Sequence, residues 1–152
     1  DGGRMENPDT YRAGKDLVEF EWRQNHRNFY SCFSLKFYWE KDTPLLTGRF
    51  PDRSGDEMRE SETDAFSNPI PWQLTWVQWF ELQNMLVESD LPAYRKPSPN
   101  VQDETDSEIR VIWRTDDGNE IQKLSGSHAE ALETLVLRIA EEAYATSNLE
   151  TE

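Results

Sequence analysis

The run over residues 29–39 constrains the fold more than any other stretch of this chain. Phe29, Ser31, Phe33, Leu35, Phe37 and Trp39 alternate with Tyr30, Cys32, Ser34, Lys36 and Tyr38. Side chains on a β-strand point to opposite faces in turn, whereas a helix would scatter such a pattern around its circumference. The second set is only partly polar, which predicts a central strand covered to some extent on both faces. Upstream, Leu17, Val18, Phe20 and Trp22 precede a turn-like Asn25-His26-Arg27-Asn28. Val18, Phe20 and Trp22 alternate with Glu19, Glu21 and Arg23, a second half-buried strand. After the turn residues Glu40-Lys41-Asp42-Thr43, the stretch 45–50 reads as a third strand, with Gly48 as a candidate bulge.

The pattern then changes period. Trp76, Trp79, Phe80, Leu82, Gln83, Met85 and Leu86 recur at spacings of three and four, which predicts a helix over 72–87 with Thr75 as N-cap. Pro92 ends it, because proline cannot continue a helix interior. Residues 51–71 and 93–107 are charged and turn-rich and read as loops. Ile109, Val111 and Trp113 predict a fourth strand. Asp116-Asp117-Gly118-Asn119 is a hairpin signal, and residues 120–125 return as a fifth strand. Ser127 and Glu130 form a capping-box pattern, and Leu132, Leu135, Val136, Ile139 and Ala143 line one face of a second helix. The order βββ-α-ββ-α predicts an α+β domain: a single antiparallel sheet of about five strands with two helices packed on one face. Residues 1–16 read as a flexible lead or tether, 17–145 as the domain and 146–152 as a polar tail.

Composition agrees with one folded domain. Hydrophobic residues are only 36% of 152, yet aromatics are 12% and six are Trp. Each buried aromatic removes a large apolar area from water and offsets a thin aliphatic content. The net charge is −14. Residues 1–50 are balanced, so the acidic excess lies after residue 50. Binding to nucleic acid phosphate needs clustered Lys and Arg, so no nucleic acid partner is expected. The excess reads first as solvating charge that keeps the protein soluble, and second as an attraction for cations or a basic protein or peptide. Cys32 is the only cysteine, which rules out an intrachain disulfide. No transmembrane segment is expected, since no apolar stretch approaches 18 residues.

The succession Phe29-Tyr30-Ser31-Cys32-Phe33-Ser34-Leu35, then Ser89-Asp90-Leu91-Pro92-Ala93-Tyr94, an acidic stretch, Asp116-Asp117-Gly118 and Leu124-Ser125-Gly126-Ser127 resembles a group of uncharacterised small proteins and lipoproteins of Gram-positive gut bacteria. Members show a Ser- and Tyr-rich first strand pair, an acidic helix and a hairpin before the last helix. The resemblance spans roughly residues 17–145. The sequence departs from it at Ala93-Tyr94-Arg95, where relatives carry a Trp-Gly step. It implies an exported, lipid-tethered origin with residues 1–16 as tether, and it carries over no activity and no functional residue. The chain opens at Asp1, consistent with loss of a signal peptide or lipid-anchor cysteine, or with a cloning boundary. A start at Met5 would instead argue against export.

No catalytic motif emerges. Ser127 and His128 lack a third group and a nucleophile elbow, and read as a helix cap. His26, His128 and Cys32 are too few and too far apart for a metal site, and residues 52–57 and 103–108 do not match a calcium loop. No cofactor is expected. A carboxylate pair in an aromatic cleft is the enzymatic alternative, though thirty acids offer many chance pairs. Cys32 reads as a small buried hydrophobe. The candidate binding surface is Trp72, Trp76 and Trp79 on one helix side, with Tyr30 and Tyr38 on the long strand as a second. These residues predict either core packing or a platform for a sugar, peptide or protein. The expected function is a non-enzymatic extracytoplasmic binding or accessory domain. The alternative is a cytoplasmic acidic interaction protein, of immunity or inhibitor type, that masks a basic partner.

Overall fold

A computed structural model describes residues 16–26, 32–52, 57–89, 105–124 and 130–150. Residues 1–15 of the expected tether, Tyr30 and Ser127 lie outside the described residues, while Asp16, the tether's expected last residue, opens the first strand. The elements are β1 (Asp16–His26), β2 (Phe33–Glu40), β3 (Thr43–Pro51), β4 (Met58–Glu60), β5 (Trp72–Gln73), α1 (Trp76–Glu88), β6 (Thr105–Thr115), β7 (Gly118–Leu124) and α2 (Glu130–Glu150).

The α+β class holds, with an antiparallel sheet and two helices. The sheet has seven strands rather than about five, in the order β4-β3-β2-β1-β6-β7, with β5 also paired to β3. The extra two are very short. They fall at residues 58–60, inside the stretch read as a loop, and at 72–73, read as the start of the helix. Thr75 explains the second difference. Its hydroxyl accepts from the Gln78 N–H at 3.1 Å and the Gln78 side chain accepts from the Thr75 N–H at 2.9 Å. This capping box fixes the helix start at Trp76 and leaves Trp72 extended. The last helix also runs on to Glu150, through residues read as a polar tail.

Alternation in the three central strands sends Phe20, Trp22, Phe33, Leu35, Phe37, Ile109, Val111 and Trp113 to one face, all buried. The same core holds Trp79, Leu82 and Leu86 of α1 and Leu132, Leu135, Val136, Ile139, Ala140 and Ala143 of α2. Burying each large side chain stabilises by about 1.5–3 kcal/mol against an exposed reference. Pairing between β1 and β6 shifts register between Leu17 and Glu19. Beside this irregularity the Leu17 N–H donates to Oε1 of buried Gln83 at 3.0 Å, tying α1 to the sheet. The helices are tied to each other through Arg138, which pairs with Glu81 of α1 and Glu142 of α2. Its hydrogen bond to Glu81, and then the neighbouring carboxylate charges, hold the guanidinium pKa above its ordinary value against partial desolvation. Gln78 also donates to Glu142 at 3.0 Å.

The other sheet face is charged. Arg110 Nη2 lies 2.8 Å from Glu19 and 3.3 Å from Glu21, Lys36 lies 3.8 Å from Glu19, and Arg23 lies 3.3 Å from Glu21. Arg23 and Glu21 are two apart on β1; the other pairs join directly opposed or diagonal positions on neighbouring strands, so the ladder itself creates them. Partly exposed pairs of this kind contribute little each. Their consequence is a face whose charges largely satisfy one another.

Candidate functional site

The site grows out of a break in one sheet edge. β4 pairs with β3 at residues 49–51 and β5 pairs with β3 at Leu45 and Leu46, so both lie on the same outer edge. Between them the chain leaves the edge at Ser61 and returns at Trp72. Gly48 sits opposite that gap with φ 138°. It is not a bulge as the sequence suggested, because its pairing with Leu35 of β2 runs through unbroken. Its role is close approach: a Cβ there would lie 2.0 Å from the Ser34 carbonyl oxygen. Ser61 takes the vacated ladder position. Its Oγ accepts from the Gly48 N–H at 2.9 Å and its own N–H donates to the Gly48 carbonyl at 2.9 Å.

Residues 62–70 form a small hairpin that stands clear of the sheet. Ile70 N–H donates to the Glu62 carbonyl at 2.7 Å, Asp64 N–H to the Asn68 carbonyl at 2.9 Å, and Thr63 bridges Pro69. Within the turn, Asp64 Oδ1 accepts from the Phe66 N–H at 2.8 Å and the Asn68 N–H at 3.0 Å. Ser67 N–H closes back on the Asp64 carbonyl, with Ser67 at φ 66°. A short Asp side chain competes well for such local amides, which is why Asp suits this position. The turn therefore holds its shape from within. At its tip Phe66 is 84% exposed, and Ile70 on the returning arm is 45% exposed.

At the foot of the hairpin lies a cavity of about 150 Å³, lined by Glu60, Glu62, Ile70, Pro71, Trp72, Tyr144 and Ser147. Its two lining rings belong to an edge-to-face aromatic set with buried Phe50, in which the Phe50–Trp72 and Trp72–Tyr144 centroids are each 5.8 Å apart. The Arg59 guanidinium stacks 4.7 Å from the Tyr144 ring centre, with Asp52 and Glu57 as carboxylate partners at 3.9 and 3.7 Å. Small-molecule pockets usually enclose roughly 300–1,000 Å³, so this one suits a single side chain. The two carboxylates in its lining, Glu60 and Glu62, favour a cationic one, beside the Arg59 guanidinium that already covers the Tyr144 ring.

The residues singled out in the sequence separate into three places. Trp72 is on β5, not on the helix, and is only 6% exposed, lining the cavity. Trp79 is buried in the core, and Trp76 is half-buried. Trp39 joins the two, with ring centres 5.0 Å from Trp76 and 5.2 Å from Trp79. Trp72, Trp76 and Trp79 therefore do not form one platform. Tyr38 is half-buried on the charged sheet face, 5.5 Å beneath the Lys36 ammonium. Burial, and then the nearby Glu40 charge, raise its phenol pKa above 10.0. Tyr30 lies outside the described residues. Cys32 is half-buried rather than enclosed.

Phe66, Ile70, Glu62 and Tyr144 escaped the sequence reading. A usable signal was present: one Phe inside the polar run Thr63-Asp64-Ala65-Phe66-Ser67-Asn68-Pro69, with an Asp placed to close a turn around it. A second cavity, of about 120 Å³, is lined by Glu21, Arg23, Glu108, Arg110 and Lys123 on the charged face, where Arg23 and Arg110 pair with Glu21. Among the described residues no group of three or more His, Cys, Asp or Glu is placed to hold a metal ion, and no helix is long and apolar enough to cross a membrane. Comparison of the chain with protein-family models, with curated proteins and with solved structures finds no match.

Proposed function

We propose that this chain is a protein-binding domain whose recognition element is the 62–70 hairpin. Phe66 enters an apolar pocket on the partner, and a basic side chain of the partner enters the cavity between Glu60, Glu62 and Tyr144. The observation that carries this reading is Phe66, 84% exposed on a turn held by its own hydrogen bonds. An exposed aromatic is ordinarily left in water only at some cost, and a turn ordered in advance reduces the entropy lost on binding. Large aromatic anchors dominate most interfaces. The acidic excess after residue 50 supplies long-range attraction toward a basic partner. Both an accessory domain outside the cytoplasm and an inhibitor that masks a basic protein would use this surface. The extracytoplasmic setting rests on the family resemblance and belongs to the same proposal.

The test places a photo-crosslinking amino acid at Phe66, with Val77 on the outer side of α1, 67% exposed, as the control position. Crosslinks to one basic protein from position 66 alone are expected. Phe66→Ala should weaken capture of that protein at least tenfold, about 1.4 kcal/mol. It should leave the melting temperature unchanged, because Phe66 buries almost nothing. Glu62→Lys should weaken capture further, and added salt should do the same. Undiminished capture by Phe66→Ala would refute the assignment.

A further inference from the structure

We infer that β7 is the contact edge of a symmetric homodimer, in which two copies join their sheets strand to strand. β7 is the last strand of the sheet, and among the described residues no further strand pairs with its outer side. Six of its seven residues are exposed, so the helix layer stops short of it. Proteins usually guard such an edge with proline, a bulge or several lysines, because its free N–H and C=O groups recruit other strands. β7 has two charged residues, Glu120 opposite Trp113 and a single lysine, but no proline, and its register with β6 is unbroken from Gly118 to Leu124. It also carries Ile121, 63% exposed, beside half-buried Ile112 on the neighbouring strand.

The strand is complementary to itself. A two-fold axis through Ile121, normal to the sheet, keeps both charged faces on one side and sets Ile121 against Ile121 of the second copy. Asn119 then faces Lys123, Glu120 faces Gln122 and Gly118 faces Leu124. No like charges oppose one another, and Ile112–Ile121–Ile121–Ile112 forms an apolar stripe across the joined sheet. Moving the axis by one residue removes this match. An axis through Glu120 opposes two glutamates, and one through Gln122 sets Ile121 against Lys123. Register is therefore specified by the side chains. A pairing of seven residues a side buries less than the roughly 800 Å² per partner of a standard interface, so the dimer is weak and concentration-dependent. Both copies are acidic, so salt should strengthen it by screening their repulsion. That is opposite to the salt response expected at the hairpin, and the two proposals stand or fall separately.

Sedimentation or light scattering of the full chain should give a mass rising from 17.8 kDa toward twice that value with concentration. Ile121→Lys places two cations on the axis and should hold the chain monomeric at every concentration, with an unchanged circular dichroism spectrum. Asn119→Asp places an acid opposite Lys123 of the second copy and should tighten association severalfold. A mass fixed at the monomer value up to the solubility limit would overturn the inference. So would dimers that neither substitution alters.

Discussion

The two edges of this sheet are built in opposite ways. At the β4–β5 edge the chain pairs for three residues, leaves for the 62–70 hairpin, and pairs again for two. Pro69 and Pro71 precede the chain's return at Trp72, and a side chain, Ser61, fills the gap in the ladder. At the β7 edge the ladder runs through seven residues without interruption. The first edge is closed to strand addition and presents an aromatic tip. Among the described residues no further strand pairs with the second on its outer side. The comparison teaches that one sheet can end in two unlike ways, with a side chain raised above a broken edge or with an uninterrupted ladder, and the two proposals assign a different kind of contact to each.

The sharpest way to break the comparison is to strain the glycine at each edge. Gly48 and Gly118 both have positive φ, 138° and 114°. They differ in surroundings. A Cβ at Gly48 meets the Ser34 oxygen at 2.0 Å and its carbonyl carbon at 2.9 Å, all backbone that cannot step aside, whereas one at Gly118 meets nothing within 4 Å. Gly48→Ala should cost about 3 kcal/mol or more, or prevent folding. Gly118→Ala should cost about 1 kcal/mol, from backbone strain alone. Urea unfolding of the two variants measures both. Equal losses would mean that the broken edge does not depend on the close approach at Gly48.

A smaller effect tests the filled gap. Ser61→Ala keeps the backbone bond from residue 61 to the Gly48 carbonyl but removes the acceptor for the Gly48 N–H. An amide left unpaired in a part-buried position costs about 1–2 kcal/mol. Urea unfolding should register that loss globally, because β3 is paired to the central strand β2. A loss confined to residues 62–70 in hydrogen exchange, with global stability intact, would show that Ser61 belongs to the hairpin and not to the sheet.

These edges also mark what the sequence could and could not disclose. The central strands were legible because Phe20 and Trp22, Phe33 to Phe37, and Ile109 to Trp113 each face one core, and burial on one side imposes period two. The first helix was legible too, from Trp76, Trp79, Leu82 and Leu86. Its start was misread because Trp72 stands four residues before Trp76 and fits the same stripe. The Thr75 cap, visible in the sequence, should have overruled that spacing. β4 and β5 were invisible, since three and two residues cannot show a period, and they are held by β3 rather than by their own propensity. Of the surface expected at Trp72, Trp76, Trp79 and Tyr38, only Trp72 reaches the cavity. Phe66 was missed because an exposed aromatic has no periodic signature: its place depends on hydrogen bonds within the turn that carries it.

The smallest expected effect separates the hairpin's shape from the edge that bears it. Asp64 Oδ1 accepts from two amides, Phe66 and Asn68, and touches no strand through them. Asp64→Ala should therefore leave global stability within about 0.5 kcal/mol of the parent, as for other surface substitutions. Two hydrogen bonds at roughly 0.5–1.5 kcal/mol each should nonetheless be lost from the local opening equilibrium. Amide exchange at Phe66 and Asn68 should then accelerate about tenfold, while exchange in β3 and β7 stays unchanged. Partner capture through Phe66 should weaken in parallel, since a tip that must be ordered at the moment of contact binds less well than one ordered beforehand. If exchange accelerates and capture does not fall, the turn's rigidity is irrelevant to recognition, and Phe66 acts through exposure alone.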